Sequence, residues 1–274
     1  MKVRVLFVIL ALLVAPVLFP QCMGKFKNGI IHAMASAAGG GGSQWTTDVS
    51  ITDVGAPKGR AYNDVEIWIA YYPSGAALRS KFFHVNVPAG GTVRIADVIG
   101  RLEAENPGLD LPGVYIGHIN AQYEVVANAR IYNTASSERA ALQPGFGQGL
   151  PALEENKGLA QGEWAQFPVP IDPNEARVNV GLANISWVEA VVLINLFDDT
   201  GAIRFTDTVD LRPHEVKQVY VNGSVPAGFA PGNVKVTVQS ASGNAIYPYI
   251  SVADNVPTGT GLPTSDPSFF FVTR

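Results

Sequence analysis

The chain has 274 residues, 47% hydrophobic and 15% charged, with 28 Gly, 19 Pro, a single Cys and a formal net charge of -4. That profile excludes a disordered chain, which would carry more charge and fewer aromatics, and a disulfide scaffold, which one Cys cannot build. Without a dense Lys or Arg tract it also lacks the electrostatic footprint of a nucleic-acid binder, and its length suits one or two domains.

Lys2 and Arg4 precede an uncharged run, residues 5–19, which reads as the basic and apolar parts of a secretory signal peptide. A membrane span is the poorer reading, because the run falls short of the roughly 20 residues a bilayer crossing needs and Pro16 interrupts it. The expectation is a secreted, extracellular or cell-surface protein, with the periplasm as the alternative, and no membrane span in the mature chain. Small residues at cleavage spacing occur at Ala33-Met34-Ala35 and Ala35-Ser36-Ala37. Residues 1–37 are therefore read as signal peptide and leader, with Cys22 discarded, and the Gly-rich residues 38–44 as a flexible tether. The fold is expected to begin near Trp45.

From there the apolar stretches are short, rich in Val, Ile, Tyr and Phe, and bounded by Gly, Pro, Asn or Asp, the pattern of strands in an all-β domain. The first set is placed at residues 48–52, 65–72, 82–87, 92–95, 113–119 and 125–132. A short helix lies within 95–105 and ends before Pro107. The second set is placed at 177–183, 188–197, 203–210, 216–221, 234–239, 245–252 and 269–272. The two sets align. Residues 70–76 match 195–202, each a strand running into a turn that ends in Gly, and Val85-Asn86-Val87-Pro88 parallels Val209-Asp210-Leu211-Arg212-Pro213. The same register pairs Thr47-Asp48-Val49 with Val178-Asn179-Val180, and Arg130-Ile131-Tyr132-Asn133 with residues 251–255. The expected architecture is two tandem antiparallel β-sandwich (Ig-like) domains, 45–153 and 175–274, joined by a Pro-rich connector at 154–174.

The segments Gln44-Trp45-Thr46-Thr47-Asp48, Val87-Pro88-Ala89-Gly90-Gly91-Thr92, Arg130-Ile131-Tyr132-Asn133 and Gly145-Phe146-Gly147-Gln148-Gly149-Leu150-Pro151 resemble the first half of an uncharacterised group of secreted bacterial proteins. Residues 177–184 and Tyr249-Ile250-Ser251-Val252-Ala253-Asp254-Asn255, closing with Asp266-Pro267-Ser268-Phe269, resemble its second half. The likeness spans nearly all of residues 45–270 and departs from the group's spacing at 257–263, where the last loop is longer. It implies tandem extracellular β-sandwiches, alone or appended to larger secreted proteins, and brings no catalytic residues.

Chemistry-bearing motifs are sparse. His84, His118 and His214 sit in no catalytic motif, no Gly-x-Ser-x-Gly elbow is present, and Gly145-Phe146-Gly147-Gln148-Gly149 lacks the context of a phosphate loop. The chain is read as non-enzymatic. Asp198, Asp199, Asp254, Asn255 and Asp266 gather at loop ends as candidate oxygen ligands for calcium, although turns demand the same residue types for their own hydrogen bonds. No other cofactor is implied. Asn184-Ile185-Ser186 and Asn222-Gly223-Ser224 fit the N-glycosylation pattern. In the strand at 65–72, alternation puts Trp68 and Tyr72 on the outer face, to contact a ligand or partner or to be covered by a loop or the other domain. Both faces of the strand at 188–197 are apolar, so Val191, Leu193 and Phe197 are expected to be covered from within the chain. The expected role is adhesion, presentation or assembly, with an extracellular protein, a glycan surface or the chain itself as partner. The alternatives are a carbohydrate-binding accessory protein and a fibre subunit.

Overall fold

A computed structural model describes residues 24–38, 44–73, 77–134, 147–168, 176–221, 231–254 and 268–271. The described residues are almost entirely antiparallel β-strand with one short helix, so the all-β expectation holds. In the first half the elements are β1 (Phe26–Ala38), β2 (Gln44–Asp53), β3 (Tyr62–Tyr71), β4 (Arg79–Pro88), β5 (Thr92–Ile95), α1 (Val98–Glu105), β6 (Gly113–Asn133), β7 (Gly147–Pro151) and β8 (Leu153–Glu154). In β3 the two-residue period of a strand sends Val65, Ile67 and Ile69 inward and leaves Asp64, Glu66 and Trp68 on the outer face.

The 21-residue β6 organises this half. Its first stretch pairs with β3 (Ile67↔Ile119) and β1 (Ile30↔His118), giving a layer ordered β4-β3-β6-β1. Its second stretch pairs with β2 (Val49↔Ala129) and β7 (Ala129↔Leu150), giving a layer ordered β5-β2-β6-β7. The strand therefore serves both layers, and the inward side chains of each meet in one buried cluster that holds Val65, Ile67, Val49, Ile51, Val125 and Ala127. α1 closes an end of it with Val98, Ile99 and Leu102. Asp97 caps this helix by accepting from the Gly100 amide at 3.1 Å, which satisfies one of its orphan N–H groups.

The second half comprises β9 (Trp164–Pro168), β10 (Ala176–Asn184), β11 (Ala190–Asp198), β12 (Ile203–Leu211), β13 (Val216–Tyr220), β14 (Pro231–Ser240), β15 (Ile246–Asp254) and β16 (Ser268–Phe271). These form two four-stranded sheets, β12-β11-β14-β9 and β13-β10-β15-β16. Val178, Val180 and Leu182 of one sheet face Val192, Ile194 and Leu196 of the other in a second buried cluster. A third, smaller cluster joins the halves, with Ile30 and Ile116 from the first and Ala183, Ile185, Ala245 and Tyr247 from the second.

Two boundaries read from sequence differ from the structure. Phe26–Ala38, assigned to the leader and the start of the tether, is an inner strand of the first half, with Ile30, Ile31, Ala33, Met34 and Ala35 buried. Of the residues read as a cleavage signal, Ala33, Met34 and Ala35 lie in its buried stretch, and Ser36 and Ala37 are half-buried. The fold thus begins well before Trp45, and residues 1–23 lie outside the described residues. The expected 154–174 connector is also partly sheet: Leu159 bridges to Ile246, and β9 pairs with β14 (Phe167↔Val234). Pro170 and Pro173 lie outside the described residues.

Candidate functional site

The outer face of β3, β4 and β6 divides into a covered part and an open part. The covered part begins at Trp68, which lies opposite Phe82 on β4 and His118 on β6. Trp68 stacks on the His118 ring at 3.7 Å between centroids, with the planes within 8°. From the second half, His214 meets Trp68 edge-on at 5.5 Å, and its Nδ1 lies 3.2 Å from His118 Nε2, so one neutral imidazole donates to the other. Trp187 lies against His214 at 4.3 Å and nearly parallel to Trp68 at 6.4 Å. Tyr72, just beyond β3, donates its hydroxyl to the Pro213 carbonyl at 2.9 Å while the Arg212 guanidinium sits over its ring at 4.1 Å.

These contacts form a junction rather than an open cleft. Burial favours the neutral imidazoles, pulling His118 down to about 3, with His214 adding to the effect, and His214 itself down to about 4. His214 also adopts a left-handed backbone, φ 51°, which is uncommon for a residue with a side chain and is held here by its N–H donating to the Ser186 carbonyl at 3.2 Å. A third histidine, His32 of β1, is buried beside Tyr249 of β15, ring centroids 5.1 Å apart, and burial lowers it to about 3. Tyr249 packs into the first half's core from the second half, passing over Gly181, where any Cβ would stand 1.9 Å from its ring. Burial pushes the Tyr249 hydroxyl up to about 12, against the opposing Gln218 hydrogen bond.

Away from the junction the same face is open. Asp64 and Glu66 on β3 align with Asn86 and His84 on β4, and Glu66 also with Asn120 on β6. His84 Nδ1 lies 3.2 Å from Asp64 and its Nε2 3.8 Å from Glu66, while the Asn120 amide donates to Glu66 at 3.0 Å. Arg60, Tyr62, Asp64, His84, Asn86 and Gln122 line a groove of about 660 Å³ at this end. Phe82 is 54% exposed, Tyr62 50% and Trp187 67%, so aromatic rings stand at both ends of the polar stretch.

Of the calcium candidates, only Asp198 and Asp199 have described side chains. Asp198 is committed within its turn: its Oδ1 accepts from the Thr200 hydroxyl at 2.6 Å and the Thr200 and Ala202 amides, and its Oδ2 from Arg204 at 2.6 Å. The Thr200 bond, with Arg204 and the Ala202 amide, holds the carboxyl far below the usual range despite its partial desolvation. Asp199 is exposed next to it, the side chain of Asp254 and all of Asn255 and Asp266 lie outside the described residues, and no cluster of three or more His, Cys, Asp or Glu able to hold a metal occurs among those described. Asn184 is no glycosylation acceptor as folded, since its buried amide donates to the Val188 and Arg212 carbonyls. Asn222 lies outside the described residues.

Sequence reasoning singled out Trp68 and Tyr72 but not their partners. Trp187 and His214 come from loops more than a hundred residues away, and the one local sign, a non-glycine left-handed residue, is invisible without coordinates. Val191, Leu193 and Phe197, expected to be covered, are half-buried on the outer face of β11 among neighbours such as Thr208, Thr237 and Lys235. The first half leans instead on the loops at 185–187 and 212–214.

No protein-family model and no curated protein matches the chain. Solved structures aligned with it include a suspected secreted protein of Parabacteroides distasonis, at 8% identity, covering 90% of this chain and 80% of that one with a TM-score of 0.20. A calcium-binding mutant of Bacteroides uniformis β-glucuronidase 2 aligns at 9% identity over 88% of this chain and 28% of that one, TM-score 0.17. A β-glucuronidase from glycoside hydrolase family 2 aligns at 10% identity over 90% and 26%, TM-score 0.16. This chain spans about a quarter of the length of those enzymes. At such TM-scores none of the alignments bears on fold or function.

Proposed function

We propose that the chain is a non-enzymatic extracellular binding module, built from two tandem Ig-like sandwiches and exported by its N-terminal signal, that presents a sheet face for adhesion or assembly. The observation that carries this reading is the junction: Trp68, His118, Trp187 and His214 interlock across the halves, and Tyr249 of the second half completes the core of the first. A duplicated sandwich whose halves are pinned in this way holds its outer surfaces in a fixed mutual arrangement. Rigid presentation lowers the ordering cost of binding. Export is supported by Lys2, Arg4 and the apolar run that follows them.

A second reading, a subunit of an extracellular assembly, is favoured by the outer face of β11, where half-buried Val191, Leu193 and Phe197 lie near exposed Ile203 and Trp164. The test of the first reading is saturable attachment of labelled full-length chain to intact cells or purified envelopes of the producing organism. Absence of attachment to any extracellular surface overturns it. Concentration-dependent growth of particles in light scattering and electron microscopy selects the second.

A further inference from the structure

We infer that the open face running from Tyr62 to Trp187 is a binding site for a neutral oligosaccharide. The inference rests on the reading of the chain as an extracellular binding module and names the ligand class of that surface. Its first support is shape: Tyr62, Asp64, Glu66 and Trp68 succeed one another along the outer side of β3, and six residue steps at the strand rise make a track about 20 Å long. That suits a chain-like ligand.

The second support is the distribution of chemistry along the track. Sugars offer alternating apolar ring faces and hydroxyl rims, so their recognition calls for exposed aromatic platforms beside fixed polar groups with spare hydrogen-bonding capacity. Phe82 and Trp187 at one end and Tyr62 at the other are about half exposed or more, which is costly unless something covers them. Trp187 is held from behind by His214. Between the aromatics, Asn120, Glu66, His84 and Asp64 form a row across three strands, with hydrogen bonds from Asn120 to Glu66 and between His84 and Asp64 and with the His84 ring 3.8 Å from Glu66. The row orients the two carboxylates while occupying only part of their acceptor sites, since each ionised carboxylate offers about four. The remaining oxygens, with the exposed Asn86 and Gln122, are positioned for ligand hydroxyls.

Charge narrows the class further. Asp64 and Glu66 lie along the middle of the track, so an anionic polymer, whether a nucleic acid or a uronic-acid chain, meets like charge there. A peptide gains most of its affinity from the backbone groups of a sheet edge, whereas this track lies on the face, away from the free edge of β4.

The test is calorimetric titration of the full-length chain with cello-, xylo-, manno- and N-acetylated chito-oligosaccharides, each also followed by tryptophan emission, with oligogalacturonate as the acidic comparison. Saturable binding of at least one neutral ligand, a change in tryptophan emission and no binding of oligogalacturonate are expected. Phe82→Ala and Tyr62→Ala should each weaken that binding about tenfold, with melting temperatures little changed because both rings are about half in solvent and neither belongs to the junction. Failure of every neutral oligosaccharide to bind at millimolar concentration, or unchanged binding in the double variant, overturns the inference. If envelopes still capture the chain while no oligosaccharide does, the ligand class is wrong and the binding-module reading survives. If neither binds, both fall.

Discussion

The two halves assemble corresponding strands in the same order but use the corresponding sheet face in opposite ways. The layer β4-β3-β6-β1 matches β12-β11-β14-β9, and β5-β2-β6-β7 matches β13-β10-β15-β16. Where the second half needs β14 and β15, separated by a turn with Gly243 at φ 66°, the first runs β6 through both layers. On the outer face of the first half, Trp68 and His118 are covered by loops of the second. At the corresponding position of the second half, Leu193 and Thr237 meet no such cover among the described residues. The same strand order thus carries a polar-aromatic junction in one half and a half-open apolar face in the other. Outer-face residues, and not the frame, decide what docks.

The sharpest way to break this comparison is to remove the side chain that crosses between the cores. Tyr249→Ala empties a fully buried site in the first half's cluster from a strand of the second, and should cost about 3–5 kcal/mol, the range for deleting a large buried aromatic. Urea unfolding followed separately by probes in each half should show both destabilised. Loss confined to the second half would mean that the cores are independent.

Acid should act next. His32, His118 and His214 titrate near 3, 3 and 4 in the folded chain, against about 6.5 when unfolded. Between these values the unfolded chain binds more protons. Stability is therefore complete above about pH 6.5 and falls as pH drops towards 4, by on the order of 3 kcal/mol per fully buried imidazole. Denaturation midpoints measured from pH 8 to 4 check this, and His118→Phe should flatten the curve. A curve with no slope in that window would place the imidazoles in solvent and dissolve the junction.

Smaller effects sharpen the contrast. Asp198→Ala should lower the melting temperature by unravelling the β11–β12 turn, and a chelator should leave the wild-type melting temperature where it is, since Arg204 and Thr200 already occupy that carboxylate. A chelator-sensitive melt would support the calcium reading. Leu193→Asp, on the half-open face, should change monomer stability by only about 1 kcal/mol or less, while Trp68→Asp on the corresponding covered face should do far more damage. Equal costs would erase the difference between the faces.

Much of the frame was legible because strand alternation and turn residues are local. β2 to β6 and β10 to β15 carry Val, Ile and Tyr runs bounded by Gly, Pro, Asn or Asp, and the short α1 stops at Asn106 just before Pro107. The missed strands are β1, β7, β8 and β9, of which β1 and β9 are the first of each half and pair with matching partners, β6 and β14. β1 hid behind small residues that also suit a leader, and β9 behind the neighbouring prolines, although Ala165 and Phe167 alternate with Trp164 and Gln166 as a half-buried strand should. His32 was set aside together with β1. The site was less legible: Trp68 was visible as an outward aromatic, whereas its contacts with His214 and Trp187 depend on how two distant loops dock, which no local pattern encodes.

The continuity of β6 also sets an order of events during folding. β1 is synthesised long before its main partner, which begins at Gly113, and before Tyr249, the residue that fills the first core from the far side. An apolar strand that must wait for partners this remote has a high contact order and spends its early life exposed to wrong pairings. The half that is made first is therefore the last to be completed, and its inner strand stays open to wrong pairings until β15 brings Tyr249.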